Sequence, residues 1–247
     1  MEPYSILNCP CLAVETPEQI KDYIRSLISS GKGGYTVAIN ALKIVGYNNN
    51  SETRRIINQG IFHVPDGVGA VHALKLLHKR NSMKLDLPGS MLDLASQEKY
   101  RCFFLGASED SNSKAYDKVA SMYPGINRVG RLNGYFKEYS EVRNAIKESN
   151  PQVVLLALGS PKQEHLSNEL LKEFPHILFV GCGGRFDILA GKLKRAPKWI
   201  VENNFEWLYR LLLEPRKRIK MQLALGHFMV LLYKYYIRIR IKKKLVF

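Results

Sequence analysis

The sequence predicts an α/β fold in which a mostly parallel sheet is covered by helices and followed by a basic, helical C-terminal appendage. Three observations lead there. Short apolar runs alternate with helical patterns along most of the chain. The runs, such as Val153-Val154-Leu155-Leu156-Ala157-Leu158, are apolar at successive positions, as strands buried on both faces are. Charge is also segregated: from Lys192 to Phe247 the chain carries 15 Lys and Arg against 3 Asp and Glu, a balance of +12 out of a total of +15. A nearly neutral body precedes a cationic tail.

The elements can be justified in order. Thr16-Pro17-Glu18-Gln19 starts a helix, with Thr16 as N-cap, Pro17 in the first turn and Gln19 completing a capping box. A strand over 35–39 ends at Asn40, and 51–59 reads as a helix. A strand over 61–64 ends at Pro65-Asp66-Gly67 and leads into a helix over 68–79. Next come a strand over 101–105 ending at Gly106, a helix around 114–122 and a helix over 140–148. The strand over 152–158 ends at Gly159, a helix over 161–174 follows, and a strand over 177–180 ends at Gly181. Repeated strand–helix order argues for parallel pairing. In such sheets ligands bind beyond the carboxyl ends of the strands, where Asn40, Asp66, Gly106, Gly159 and Gly181 all fall.

From Pro197 onward the pattern changes to helices rich in aromatic residues and cations. We place a boundary near 195, giving a core over 1–195 and an appendage over 196–247. Hydrophobic content of 46% and charged content of 24% exclude global disorder. Four cysteines in 247 residues make no disulfide framework, and Cys9-Pro10-Cys11 is too tight for a zinc knuckle, so reduced cytosolic thiols are expected. The N-terminus lacks a signal-peptide pattern. The most apolar tail window, 223–237, contains His227 and Lys234 and is too short to span a bilayer.

Several positions could carry chemistry. Asp66 lies between an apolar strand and a glycine turn, where partial burial would suit a general base. It could equally cap the helix beginning at Val68. Gly159-Ser160-Pro161-Lys162-Gln163-Glu164 could receive a phosphate on a helix N-terminus, or could be only a capping box between Ser160 and Gln163. Gly181–Asp187 could bind a nucleotide, with Asp187 accepting from ribose or base, or could be a turn with an N-cap aspartate. No Gly-x-Gly-x-x-Gly and no phosphate loop occurs, which disfavours ordinary dinucleotide or ATP binding. No Asp-x-Asp occurs, so charge on a leaving diphosphate would be met by Arg, Lys and helix dipoles rather than a metal. The six histidines do not cluster.

At these residues the chain resembles the WecG/TagA/CpsF family of bacterial glycosyltransferases. The matching pieces, in order, are Asn40, Pro65-Asp66-Gly67-Val68-Gly69, Phe104-Leu105-Gly106, Asn133-Gly134-Tyr135-Phe136 and Leu158-Gly159-Ser160-Pro161-Lys162-Gln163-Glu164. Gly183–Asp187, Ala190-Gly191-Lys192, Arg195-Ala196-Pro197 and Glu206-Trp207-Leu208-Tyr209-Arg210-Leu211 complete the set. The resemblance implies a Rossmann-like enzyme that moves a sugar, often of N-acetylmannosamine type, from a UDP donor to a sugar on undecaprenyl diphosphate, with inversion and no required metal or other cofactor. It implies Asp66 as general base, with Asn40 and Gln163 lining the donor–acceptor pocket. Gly106, Gly134, Tyr135, Gly159, Gly184 and Asp187 match the nucleotide end, and Arg210, Arg216 and Arg218 match arginines that approach the diphosphate and close the site. The chain departs from the family at Ala38, where a threonine is common, and at Pro88-Gly89-Ser90-Met91, which lacks an acidic residue; both bear on the sugar transferred.

The tail then has a role. A lipid-linked acceptor stays in the bilayer, and a basic, aromatic segment would hold the enzyme peripherally on the anionic inner face of the cytoplasmic membrane. Removal of residues from about 196 onward is expected to leave a more soluble body with little activity. Two other readings compete. A nucleic-acid-binding protein explains the tail but leaves Asp66 and the strand-end glycines without purpose, so no nucleic acid is expected as partner. A catalytically silent UDP-sugar-binding scaffold is conceivable because of Ala38. Without a membrane the tail could also mediate homo-oligomer formation.

Overall fold

The computed structural model describes residues 3–193, 197, 199–200, 206–213 and 215–244. Its centre is a six-stranded sheet, every pairing parallel, built from β3 (Gly34–Ile39), β4 (Phe62–Pro65), β5 (Arg101–Gly106), β6 (Asn127–Leu132), β7 (Val153–Ala157) and β8 (Leu178–Gly181) in the order β4-β3-β8-β7-β5-β6. A separate antiparallel hairpin joins β1 (Tyr4–Ile6) to β2 (Cys9–Cys11). The α/β expectation therefore holds, and the five strands read from the sequence lie within a residue of their expected ends.

Alternation along each strand sends side chains into two cores. In β7, Val153, Leu155 and Ala157 enter one and Val154 and Leu156 the other. On the first face lie α2 (Ala41–Asn49), α3 (Ser51–Gln59), α4 (Val68–His78), α7 (Tyr139–Ser149) and α8 (Lys162–Glu173). The second face is covered by α1 (Pro17–Ser29), α5 (Leu87–Glu98), α6 (Glu109–Met122) and the short α9 (Arg185–Leu189). The box that Thr16 and Gln19 form at the start of α1 is present as expected. Side chains also cap four further helices: Asn40 on α2, Asn50 on α3, Asp86 on α5 and Ser108 on α6.

Some elements escaped the sequence reading. The hairpin did: Cys9 and Cys11, expected as reduced thiols, are core residues of it, both free and fully buried, and burial pushes the Cys9 thiol up to about 12. β6 did too: it is an edge strand, half-exposed along most of its length, and Arg128 and Arg131 mask its apolar pattern. Such cations are a common way of keeping an edge from pairing with another chain.

Beyond α9 the chain forms α10 (Glu206–Leu213) and the long α11 (Pro215–Lys244). The boundary near 195 falls outside the described residues. Phe228 and Leu232 of α11 are fully buried in the first core, with Leu225, Met229 and Leu231 packed around them. His72 of α4 bonds the Tyr233 hydroxyl at 3.0 Å. Gly69 lets the two helices close up, since a Cβ there would lie 3.0 Å from Leu225 Cδ1 and 3.3 Å from Phe228 Cε1. This packing corrects the expectation that the body becomes more soluble without the tail. Cutting α11 away would expose apolar core, and losing a buried Phe alone typically costs about 3–5 kcal/mol.

Candidate active site

The carboxyl edge of the sheet presents, in spatial order, Asp66 after β4, Asn40 after β3, Gly181 ending β8, Gly159 just beyond β7, Gly106 ending β5 and Asn133 after β6. The segments leaving β3, β4 and β7 run to helices of the first face, and those leaving β5 and β8 run to the second. With β6 also running to the first face through α7, neighbouring connections part on either side of β8 and on either side of β5. Crevices at such divergence points are where open α/β sheets hold ligands.

Asn40 and Asp66 are neighbours on adjacent strands. Ile39 pairs with Pro65, and the Asp66 N–H donates to the Ile39 carbonyl at 2.8 Å. Asn40 caps α2, its Oδ1 accepting from the Lys43 N–H at 3.1 Å. Asp66 does not cap α4. That place belongs to Gly67, whose φ of 89° is one that favours glycine, and no side chain caps the helix. The half-buried Asp66 carboxylate has no hydrogen bond or ion pair among the described residues. Of the two sequence readings of Asp66, the cap is excluded.

Gln163 comes from the first turn of α8 and is buried. The expected box with Ser160 is absent: Pro161 occupies the N-cap position, following a cis Ser160–Pro161 bond, and no side chain caps the helix. Ser160 is left outside the helix, while Gln163 turns inward onto Gly181, where a Cβ would meet its Nε2 at 2.3 Å. Gln163 Oε1 is buried without a hydrogen-bond partner. The β3–β8 ladder stops at Tyr35 and Phe179, and the Gly181 N–H donates to the Thr36 hydroxyl at 3.1 Å instead of to a β3 carbonyl. Next to Gln163, Glu164 pairs with Lys43 at 2.5 Å.

The other end of the edge is tightly bonded. Gly106, at φ 115°, lies so close to β7 that a Cβ would meet the Ala157 backbone at 2.6 Å. The Ala107 N–H donates to Ala157, and the Gly134 N–H donates to Ala107. Fully buried Asn112 donates to the carbonyls of Phe104, Gly106 and Leu132, clasping the ends of β5 and β6. Glu109 accepts from Arg131 at 2.6 Å and Asn133 at 2.9 Å, and Asn133 Oδ1 accepts from the Tyr135 N–H. Those bonds, Asn133 first and Arg131 second, hold the Glu109 carboxyl below its ordinary range. Tyr135 stands out into solvent, 78% exposed.

Gly184 is the N-cap of α9, and Asp187 lies inside that helix, so Asp187 is not a capping aspartate. Its carboxylate has no partner among the described residues. Lys192 reaches back to Ser108 and Asp110 at the start of α6. The side chains of Arg210, Arg216 and Arg218 lie outside the described residues. Among the described residues no three His, Cys, Asp or Glu side chains group to hold a metal.

Sequence reasoning missed four supporting groups: Lys43, Asn112, Glu109 and the Arg185–Asp86 pair, 2.7 Å apart. Lys43 carried a signal, being a cation in a first helical turn, where the dipole disfavours it. The others carried none, since their roles depend on partners brought together only by the fold.

The sequence model of the glycosyl transferase WecG/TagA/CpsF family matches residues 4–242. Two similar proteins bear the name N-acetylglucosaminyldiphosphoundecaprenol N-acetyl-beta-D-mannosaminyltransferase. The one from Bacillus spizizenii is 35% identical over 195 residues, covering 77% of this chain and 75% of its own length. That from Bacillus subtilis is 35% identical over 163 residues, covering 65% of this chain and 64% of its own.

Proposed function

This chain belongs to the WecG/TagA/CpsF glycosyl transferase family, and on that premise we propose that it moves an N-acetylmannosamine-type sugar from a UDP donor to a GlcNAc-diphosphopolyprenol acceptor. The names of the two Bacillus relatives support the acceptor and the sugar. One observation carries the catalytic reading: Asp66 stands beside Asn40 at the carboxyl edge with its carboxylate unpartnered among the described residues and not used as a cap.

In the proposed reaction the Asp66 carboxylate removes the proton from the acceptor hydroxyl. The oxygen attacks the anomeric carbon from the side opposite UDP, forming one C–O bond with inversion. The bond from that carbon to the UDP oxygen breaks, and the electron pair leaves with UDP. Asn40 and Gln163 orient the two sugars, Gln163 through its unpartnered amide oxygen. Tyr135, exposed and held by its turn, offers a face for the uracil, and Asp187 is assigned to the nucleotide by the family resemblance. Arg210, Arg216 and Arg218 would neutralise the diphosphate, and no metal is required.

Contact with the lipid-linked acceptor suits a peripheral enzyme at the inner face of the membrane. Among the described residues no helix is long and apolar enough to cross a bilayer. Ile219, Leu223, Val230, Ile237 and Ile241 of α11 are exposed, and their spacing puts them on one side of the helix. Exposed Lys234, Arg238 and Arg240 accompany them. An apolar stripe with neighbouring cations fits an anionic leaflet.

The test is acceptor-dependent UDP release from a panel of UDP-sugars with a short-chain GlcNAc-diphospholipid, comparing wild type with Asp66→Asn. Release that collapses in the variant supports the reading and identifies the donor. UDP binding without release from any donor would instead favour a silent scaffold.

A further inference from the structure

The Lys43–Glu164 ion pair is almost fully buried, its side chains 13% and 1% exposed. Removing two charges from water is costly, and a packed apolar pair of similar volume is often at least as stable. Lys43 also sits in the first turn of α2, which contains no acidic residue to offset it, so the helix dipole works against the cation. Fold stability is a poor explanation for such a pair.

Its connections are more informative. Lys43 donates its backbone N–H to Asn40 Oδ1 at 3.1 Å, and the Lys43 ammonium reaches Glu164 at 2.5 Å. Glu164 follows Gln163, whose amide packs on Gly181 at the end of β8. The pair therefore runs from the helix after β3 to the helix after β7, across β8, which lies between them in the sheet. It does so where β3 and β8 have parted and only the Thr36 hydroxyl still meets the Gly181 N–H. Glu164 Oε2 is buried with no hydrogen-bond partner. Tyr35, also near this carboxylate, gives its hydroxyl to the Ile56 carbonyl at 2.5 Å. Lys43 is thus the one hold on the Glu164 side chain among the described residues.

We propose that the Lys43–Glu164 ion pair is a positioning device that sets the separation of Asn40 from Gln163, and with it the fit of donor to acceptor. The proposal rests on the functional reading above. Neither residue of the pair touches substrate; each acts through its neighbour.

The full-length chain can be tested with four variants: Lys43→Met, Glu164→Leu, the double variant combining them, and Lys43→Arg. The double variant removes both charges and so leaves no lone buried ion. It is expected to melt within a few degrees of wild type yet lose roughly 10- to 100-fold in kcat, the scale of loss from a small misplacement of reacting groups. Donor KM should change by no more than about twofold, and Lys43→Arg should recover most of the rate. The side-chain amide NMR resonances of Asn40 and Gln163 give a readout that needs no turnover, and they should shift or broaden in the double variant. A double variant that fails to fold, or that folds with wild-type kcat and unchanged amide resonances, overturns the proposal. If wild type itself releases no UDP, the functional reading falls, while the resonances still decide whether the pair positions these two amides.

Discussion

The two halves of the carboxyl edge are built on opposite plans. Around β4, β3 and β8 the polar side chains are left open: Asp66 has no partner among the described residues, and Gln163 Oε1 has none either. Around β5 and β6 the side chains instead bind strand ends and one another: Asn112 clasps three carbonyls through its Nδ2, leaving only its Oδ1 buried without a partner, and Glu109 holds Arg131 and Asn133. Open groups can lower their energy by meeting a substrate, whereas closed ones can only shape the surface that a substrate meets. On the proposed function, chemistry is thereby separated from recognition along one sheet edge.

Substitution tests that contrast most severely on the open side. Asp66→Asn is expected to lower kcat by about 10²–10⁴-fold, the range for a positioned acid–base group, with an unchanged melting temperature because no partner is lost. A large fall in melting temperature would show that Asp66 belongs to the closed plan after all. On the closed side, Asn112→Leu removes the two N–H donors that three strand-end carbonyls share. It should destabilise the fold by about 3 kcal/mol, given about 1–3 kcal/mol for each strongly unsatisfied group, as read from urea unfolding.

Tyr135 should respond in between. Its exposure means that Tyr135→Ala leaves stability alone, while donor affinity weakens by about tenfold if the ring stacks on the base, at about 1–3 kcal/mol per stacked base. Calorimetric titration with UDP would show it, and unchanged affinity would remove Tyr135 from the donor site. The smallest effect is expected for Glu109→Gln, a rise in donor KM of about threefold with kcat unchanged, the pattern of lost uniform binding. Its pH dependence has a definite sign. The Glu109 carboxyl titrates below its ordinary 4.5 in the folded protein. Its hold on Asn133 is therefore fully present above pH 4.5 and is lost as pH falls through the depressed folded value. Donor KM should stay flat on moderate acidification and climb only below the ordinary carboxylate range.

Legibility in the sequence followed the same division. Strands β3, β4, β5, β7 and β8 were readable because each is apolar on both faces and ends in a turn residue. Local rules were enough to place Asp66, Asn40 and Gln163 at strand ends or helix starts, while the roles proposed for them rest on the family resemblance. Their alternatives were not separable locally: whether Asp66 capped α4 depended on Gly67 taking that position, and whether Ser160 capped α8 depended on Pro161. β6 and the clasp of Asn112 were hidden, one by edge-strand polarity and the other because its three acceptors lie on strand ends 6, 8 and 20 residues away. Lys43 was legible only as a breach of the helix-dipole preference, and such local breaches often mark functional positions.

Gly69 carries a consequence for how this chain can diverge. Its missing side chain is filled by Leu225 and Phe228, so three positions from distant parts of the gene are tied by volume. A descendant that acquires alanine at 69 needs Leu225 and Phe228 to give way by a few tenths of an ångström, and a larger residue there needs smaller ones opposite it. Covariation of that kind is what spatial contact leaves in a lineage. The helix that follows Asp66 and α11 are therefore tied to each other in sequence. A tail grafted from a relative would need its own matching residue at 69.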